Sequence, residues 1–257
     1  MKKSIALFLL FAIFIAAGVA LLSYGSIPQD PDYHRFADNR TIFGIPNFND
    51  VISNAAFIIV GVLGLRFLRQ PSNQKIPYKL PGEKLVWAIF FLGLVLIGLG
   101  SGYYHLSPNN NTLVYDRLPM TIAFMALFAF VIMDRINPKL GLLLCPILIA
   151  LGIASVFYWH YTESIGHGDL RWYVLVQFAP MILIPIMMFL LPSHYTKTEY
   201  IFFALVWYAL AKVAEYFDSG LFKLTHNTLS GHSIKHIIAA FGVYFLTRYL
   251  KQKRYCR

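Results

Sequence analysis

Apolar runs of about 20 residues recur along the whole chain, and each is long enough to cross a hydrocarbon core of about 30 Å. Inside a bilayer no water pairs with the backbone, so a spanning segment must satisfy its own hydrogen bonds, as a helix or in a closed barrel. The alternation of apolar and polar residues that barrel strands require is not visible. The sequence therefore predicts an all-α membrane protein. Eight segments are expected, at roughly 4–24, 50–68, 85–105, 118–134, 140–160, 172–192, 200–217 and 232–250. They make a core of seven transmembrane helices with one additional N-terminal transmembrane helix. Composition agrees: 58% of the 257 residues are hydrophobic and 13% are charged, against about 25% charged in a soluble domain.

Pro28, Pro31 and Pro46 break the first long connection, and Pro71, Pro77, Pro81 and Gly82 the second. The first segment follows Lys2 and Lys3, as in a secretory signal. Its apolar run, Ile5 to Leu22, exceeds the usual ~7–15 residues, and Tyr24-Gly25-Ser26 is a poor cleavage site, so an uncleaved anchor is expected. Residues 1–29 thus read as a signal-anchor-like helix and linker, 30–250 as the seven-helix domain, and 251–257 as a basic tail.

The net charge of +10 is not that of a nucleic-acid binder, because no basic stripe interleaved with aromatics is present. The cations instead fill alternate connections. Lys2 and Lys3 precede the first segment; Arg66, Arg69, Lys75, Lys79 and Lys84 lie between the second and third. Arg135 and Lys139, Lys197, and then Arg248, Lys251, Lys253, Arg254 and Arg257 continue the series. The opposite connections hold only Arg35, Arg40, Arg117, Arg171 and Lys223. The positive-inside rule predicts both termini in the cytoplasm, in a multi-pass protein of the cell membrane. Cys145 and Cys256 carry no pairing or thiolate-metal signature.

On this topology five reactive residues fall on the outer face. Ser101 and His105 end the third segment, Asp116 begins the fourth, and His232 and His236 begin the eighth. Ionisable groups at a membrane margin are expensive and mark function. His232 and His236 stand four residues apart, on one helical face, and can grip a single ion. Ser101 and His105 share that spacing. Three imidazoles with a fourth position left for water describe a catalytic zinc site, in which water becomes available as a nucleophile near neutral pH. Asp116 is then the natural base or water orienter, and Ser101 a hydrogen-bond donor to the oxygen that gains charge. Lys212 and Glu215 are read as a structural ion pair near Asp218, with support of the metal ligands or contact with a headgroup as the lesser alternative, and His160, His167 and Asp169 as residues of an outer loop. His34 and His226 are also placed outside, and His194 on the cytoplasmic side.

The S-x-x-x-H at Ser101–His105, an aspartate eleven residues on at Asp116, and the late G-H-x-x-x-H at Gly231–His236 resemble the alkaline ceramidases. These belong to a superfamily of seven-transmembrane zinc hydrolases that includes the adiponectin and progestin receptor relatives. Ile45-Pro46-Asn47-Phe48-Asn49-Asp50-Val51-Ile52-Ser53-Asn54 is similar to the entry of the family's first core helix, and Asp116-Arg117-Leu118-Pro119-Met120 to its D-x-L-P-M. The resemblance covers roughly residues 30–250. It implies zinc on His105, His232 and His236, catalysis by Ser101 and Asp116, and hydrolysis of a ceramide-like lipid to a fatty acid and a sphingoid base. Eukaryotic members carry an acidic calcium cluster before the first core helix; here the region reads Phe36-Ala37-Asp38-Asn39-Arg40, with Asn47 near the family's later glutamate, and calcium is not expected. Two alternatives stay open: a zinc hydrolase of a different membrane lipid, and a seven-helix lipid receptor with a structural zinc. A transporter fits poorly, since no repeated halves are visible.

Overall fold

The computed structural model describes residues 3–70 and 78–256. Pro71, Lys75, Pro77, Lys2 and Arg257, used in the sequence reading, lie outside the described residues. The fold is all-α: α1 (Lys3–Ser23), α2 (Phe48–Ser53), α3 (Ala55–Arg69), α4 (Glu83–Leu106), α5 (Asn110–Arg135), α6 (Pro138–Ser164), α7 (Arg171–Leu190), α8 (Glu199–Tyr216), α9 (Asp218–Leu224) and α10 (Gly231–Gln252). A 3-10 turn, Pro31–His34, lies in the first connection.

Among the described residues, six spans are long and apolar enough to cross a membrane: α1, α2–α3 taken together, and α4 to α7. A seventh is gained if α8 and α9, bent by 80° at their junction, count as one. The N-terminal helix is present. The eighth expected segment is a helix too, but α10 is not among the candidate spans; His232, Lys235, His236, Arg248 and Lys251 dilute its apolar run.

Helix ends are set by local chemistry. Asn109 and Thr112 form a reciprocal capping box that starts α5 three residues after α4 ends. That places Asp116 well inside a helix rather than at its start, a correction to the expected boundary near residue 118. Asn137 caps α6, with Pro138 in the first turn where its missing N–H is harmless. Likewise α6 runs to Ser164, so His160 is helical and not a loop residue; the buried Trp159 and Thr162 hold this last stretch in place.

Chain order and packing order largely coincide: α3, α4, α5 and α6 are successive neighbours, α7 leans on α5 and α6, and α10 sits between α8 and α3. The N-terminal α1 packs on α7. Small residues let the helices approach closely. A methyl group on Gly100 of α4 would lie 2.0 Å from the Tyr115 carbonyl oxygen of α5, and one on Gly98 would lie 2.5 Å from Ile58 of α3. The tight α4–α5 turn therefore brings the end of α4 beside the start of α5.

Candidate active site

Among these helices lies a cavity of about 330 Å³. One face of α4 descends into it through Ser101, Ile97, Leu94 and Phe90, and one face of α10 through His236, Ala239, Val243 and Leu246. From His236 to Leu246 is ten residues, about 15 Å of helix. The cavity is thus polar at one end and apolar below.

At the polar end the three histidines meet. His105 comes from the last turns of α4, and His232 and His236 from the first turns of α10, started by the Ser230 cap on the Ser233 amide. All three are buried, with candidate ligand atoms within 4.8 Å of one another. His105 Nε2 and His232 Nε2 are 3.2 Å apart. Two nitrogens held at about 2.0–2.1 Å from a tetrahedral zinc lie about 3.3 Å apart, so this pair has the spacing of zinc ligands. His236 Nδ1 bonds the Ser53 hydroxyl at 2.8 Å, which leaves its Nε2 for an ion. The donor set fits zinc.

Several groups fix the histidines. The His232 amide donates to Asp218 Oδ1 at 2.8 Å, while Oδ2 accepts from the Ala37 amide at 2.9 Å. Asp50, fully buried, accepts from the hydroxyls of Ser230 and Ser233 and so ties α2 to the cap of α10. Asn47 donates to the His105 carbonyl at 2.8 Å. Phe36 sets its ring edge against His105 and His232, at 4.7 and 4.4 Å between centroids. The connection before α2 therefore covers the histidines.

Ser101 and Asp116 line the cavity beside His236. Ser101 is buried and Asp116 is half-buried. All five residues singled out in the sequence are thus brought to one end of the bundle. Lys212 and Glu215 pair at 2.6 Å, as the spacing suggested, and Lys235 joins the same carboxylate from α10. The remaining histidines lie elsewhere: His34 bridges Tyr104 and Asn110, both at 2.9 Å, and His194 rests against Asp134. Asp38 is gripped by Arg40 and Asn49; burial works against its charge, but these hydrogen bonds hold its carboxyl below the usual range.

Asp50, Ser53 and Phe36 were not read as supports of the histidines, and Asp218 only as the lesser of two alternatives. Asp50 and Ser53 stand in the Ile45–Asn54 stretch that carries the family resemblance. The sequence model of the ceramidase family, described as "Ceramidase", matches residues 44–257. The chain belongs to the ceramidase family. This family consists of amide hydrolases, and the protein is an enzyme of that class. No curated protein and no solved structure matches this ceramidase-family chain.

Proposed function

We propose that the protein is a zinc-dependent membrane amidase that cleaves the N-acyl bond of ceramide-like lipids. The observation that carries this is the convergence of His105, His232 and His236 with Ser101 and Asp116 at the mouth of an apolar cavity. A zinc ion on the three imidazoles, when bound, supplies Lewis acidity toward water and the amide carbonyl. The apolar faces of α4 and α10 hold the acyl chain and aim the amide at the polar end. Asp116 takes a proton from the attacking water and returns it to the departing nitrogen as the C–N bond breaks, giving a fatty acid and an amine. Ser101 donates to the oxygen on which charge develops.

The reading extends to topology. The end of the bundle away from the histidines carries Arg66, Arg69, Lys84, Arg135, Lys139 and Arg248, which supports cytoplasmic termini and an outward-facing site. On this view α1 is an anchor before a seven-helix hydrolase core at 30–250, and α10 is a span despite its polar start.

The test pairs metal content with turnover. Purified protein should hold about one zinc per chain, as a mononuclear site requires, and should release fatty acid from an N-acyl sphingoid lipid until a chelator is added. A double variant, His232→Ala with His236→Ala, should lose both. Full activity in zinc-free protein would overturn the proposal.

A further inference from the structure

The cations that line the cavity are already engaged. Lys212 and Lys235 both bond Glu215. The Arg117 guanidinium donates through Nη2 to Gln29 at 2.6 Å and lies 4.0 Å from the Trp159 ring centroid. Two tyrosine rings flank the same guanidinium, Tyr173 at 4.7 Å and Tyr33 at 5.6 Å, and such stacking holds a cation in place. Both tyrosines line the cavity that Ser101, Asp116 and His236 also line. Tyr173 is 5% exposed, yet its hydroxyl has no hydrogen-bond partner among the described residues. Tyr33 is 37% exposed and so stands at the rim. Its place is fixed from both sides. It lies in the 3-10 turn Pro31–His34; before the turn, Gln29 is tied to Arg117 and Glu163, and at its end His34 bonds Tyr104 and Asn110. This turn precedes residue 44, where the match to the family begins, so Tyr33 is a contribution of the chain's own N-terminal connection.

From this we infer that Tyr33 and Tyr173 read the hydroxyls of the substrate's headgroup and set its specificity. The inference rests on the ceramide-like amidase reading and names residues for the amine side of that substrate. A phenol donates one hydrogen bond and accepts another, as an alcohol does, so a pair of phenols suits neutral hydroxyls. In a ceramide-like lipid these hydroxyls stand on the two carbons flanking the one that bears nitrogen, close to the amide under attack. Arg117 follows Asp116 in sequence and holds both rings beside that point. Tyr33, at the rim, meets the primary hydroxyl at the end of the headgroup. Tyr173, deeper, meets the secondary hydroxyl, from which the sphingoid chain continues into the apolar part. A site built to pair a hydroxyl rejects the analogue without it, because its own polar group is then left unpaired.

Matched substrates test this in the full-length protein in detergent: N-palmitoylsphingosine and its 1-deoxy and 3-deoxy analogues, each lacking one hydroxyl. Hydrolysis is measured, together with binding of the corresponding ketone isosteres, which carry methylene for the amide N–H and cannot be cleaved. The wild type should favour the parent over each analogue by about 10–100-fold in kcat/KM and in binding, the cost of stranding one polar partner. Tyr33→Phe and Tyr173→Phe keep the rings around Arg117 and remove only the phenol oxygen. Tyr33→Phe should bring the 1-deoxy ratio near one, and Tyr173→Phe the 3-deoxy ratio, each by slowing the parent. A merely structural role would slow parent and analogue alike and leave the ratios standing. Equal treatment of all three lipids by the wild type, or a ratio that its matching variant leaves intact, overturns the inference. The amidase reading fails separately: a binding preference with no amide hydrolysed would sink that reading and leave the headgroup assignment standing.

Discussion

Asp116 and Ser101 sit beside the histidines without belonging to the ligand group, and that separation makes their roles measurable. Asp116→Asn keeps the shape of the side chain but removes the base. Turnover of an N-acyl lipid should fall by about 10²–10⁴-fold, the usual value of general acid–base assistance, while zinc per chain stays unchanged. Ser101→Ala should cost about 10²–10³-fold, as loss of one oxyanion donor does. Loss of zinc in the Asp116 variant would make the aspartate a ligand. At this scale the sequence was most legible where spacing is local. Pairs four apart on one helix, Ser101 with His105 and His232 with His236, announce themselves. Ser53 does not, because its partner His236 lies 183 residues away and nothing in the neighbourhood of Ser53 records that contact.

The elements matter through how closely they approach. Gly231 opens α10 one residue before His232, and a methyl group there would lie 2.1 Å from the Ala214 carbonyl oxygen and 2.7 Å from Asp218 Cα. Both neighbours are backbone and cannot swing away. Gly231→Ala should therefore destabilise the fold by about 1–3 kcal/mol, as overpacking does. Because Asp218 also holds the His232 amide, zinc affinity should drop with it. Gly220→Ala is the control, since nothing lies within 4 Å of its added methyl. Thermal melts with zinc titration would show the contrast, and an unchanged Gly231 variant would mean α10 tolerates displacement. Helix boundaries were the weaker part of the sequence reading. Hydropathy ends where polar residues begin, but a helix ends where its caps do, so the Asn109 and Asn137 caps extended α5 and α6 beyond their apolar runs. His160 changed category because the other end of α6 runs on to Ser164, with Trp159 and Thr162 buried.

Across the whole molecule, the alternation of basic connections and the meeting of the histidines are independent observations that agree. If the termini are cytoplasmic, a cysteine placed in the short connection at Ser107 should react with an impermeant thiol reagent in intact cells. One at Lys139, near the start of α6, should react only after permeabilisation. The reverse pattern would put the site on the cytoplasmic side. Hydropathy alone placed apolar helices along the chain but not their arrangement, and six to seven candidate spans stand among the described residues against the eight segments expected. The connection before α2 folds back over the site through Phe36 and Ala37, and its Pro-rich composition signalled only that it was not a helix.

The cavity beneath the histidines descends about 15 Å between apolar helix faces, about half the thickness of a hydrocarbon core. A lipid substrate so placed is supplied from the plane of the bilayer, and its effective concentration is then a number per unit of membrane area. In proteoliposomes, adding inert phospholipid at constant substrate should slow the reaction in proportion to the substrate's mole fraction. Diluting the same vesicles into buffer should leave the rate per enzyme unchanged. A rate that tracked bulk concentration instead would mean that the substrate arrives through water. On the proposed reading the composition of the surrounding leaflet becomes a kinetic variable, and remodelling the membrane would throttle the reaction without touching the protein.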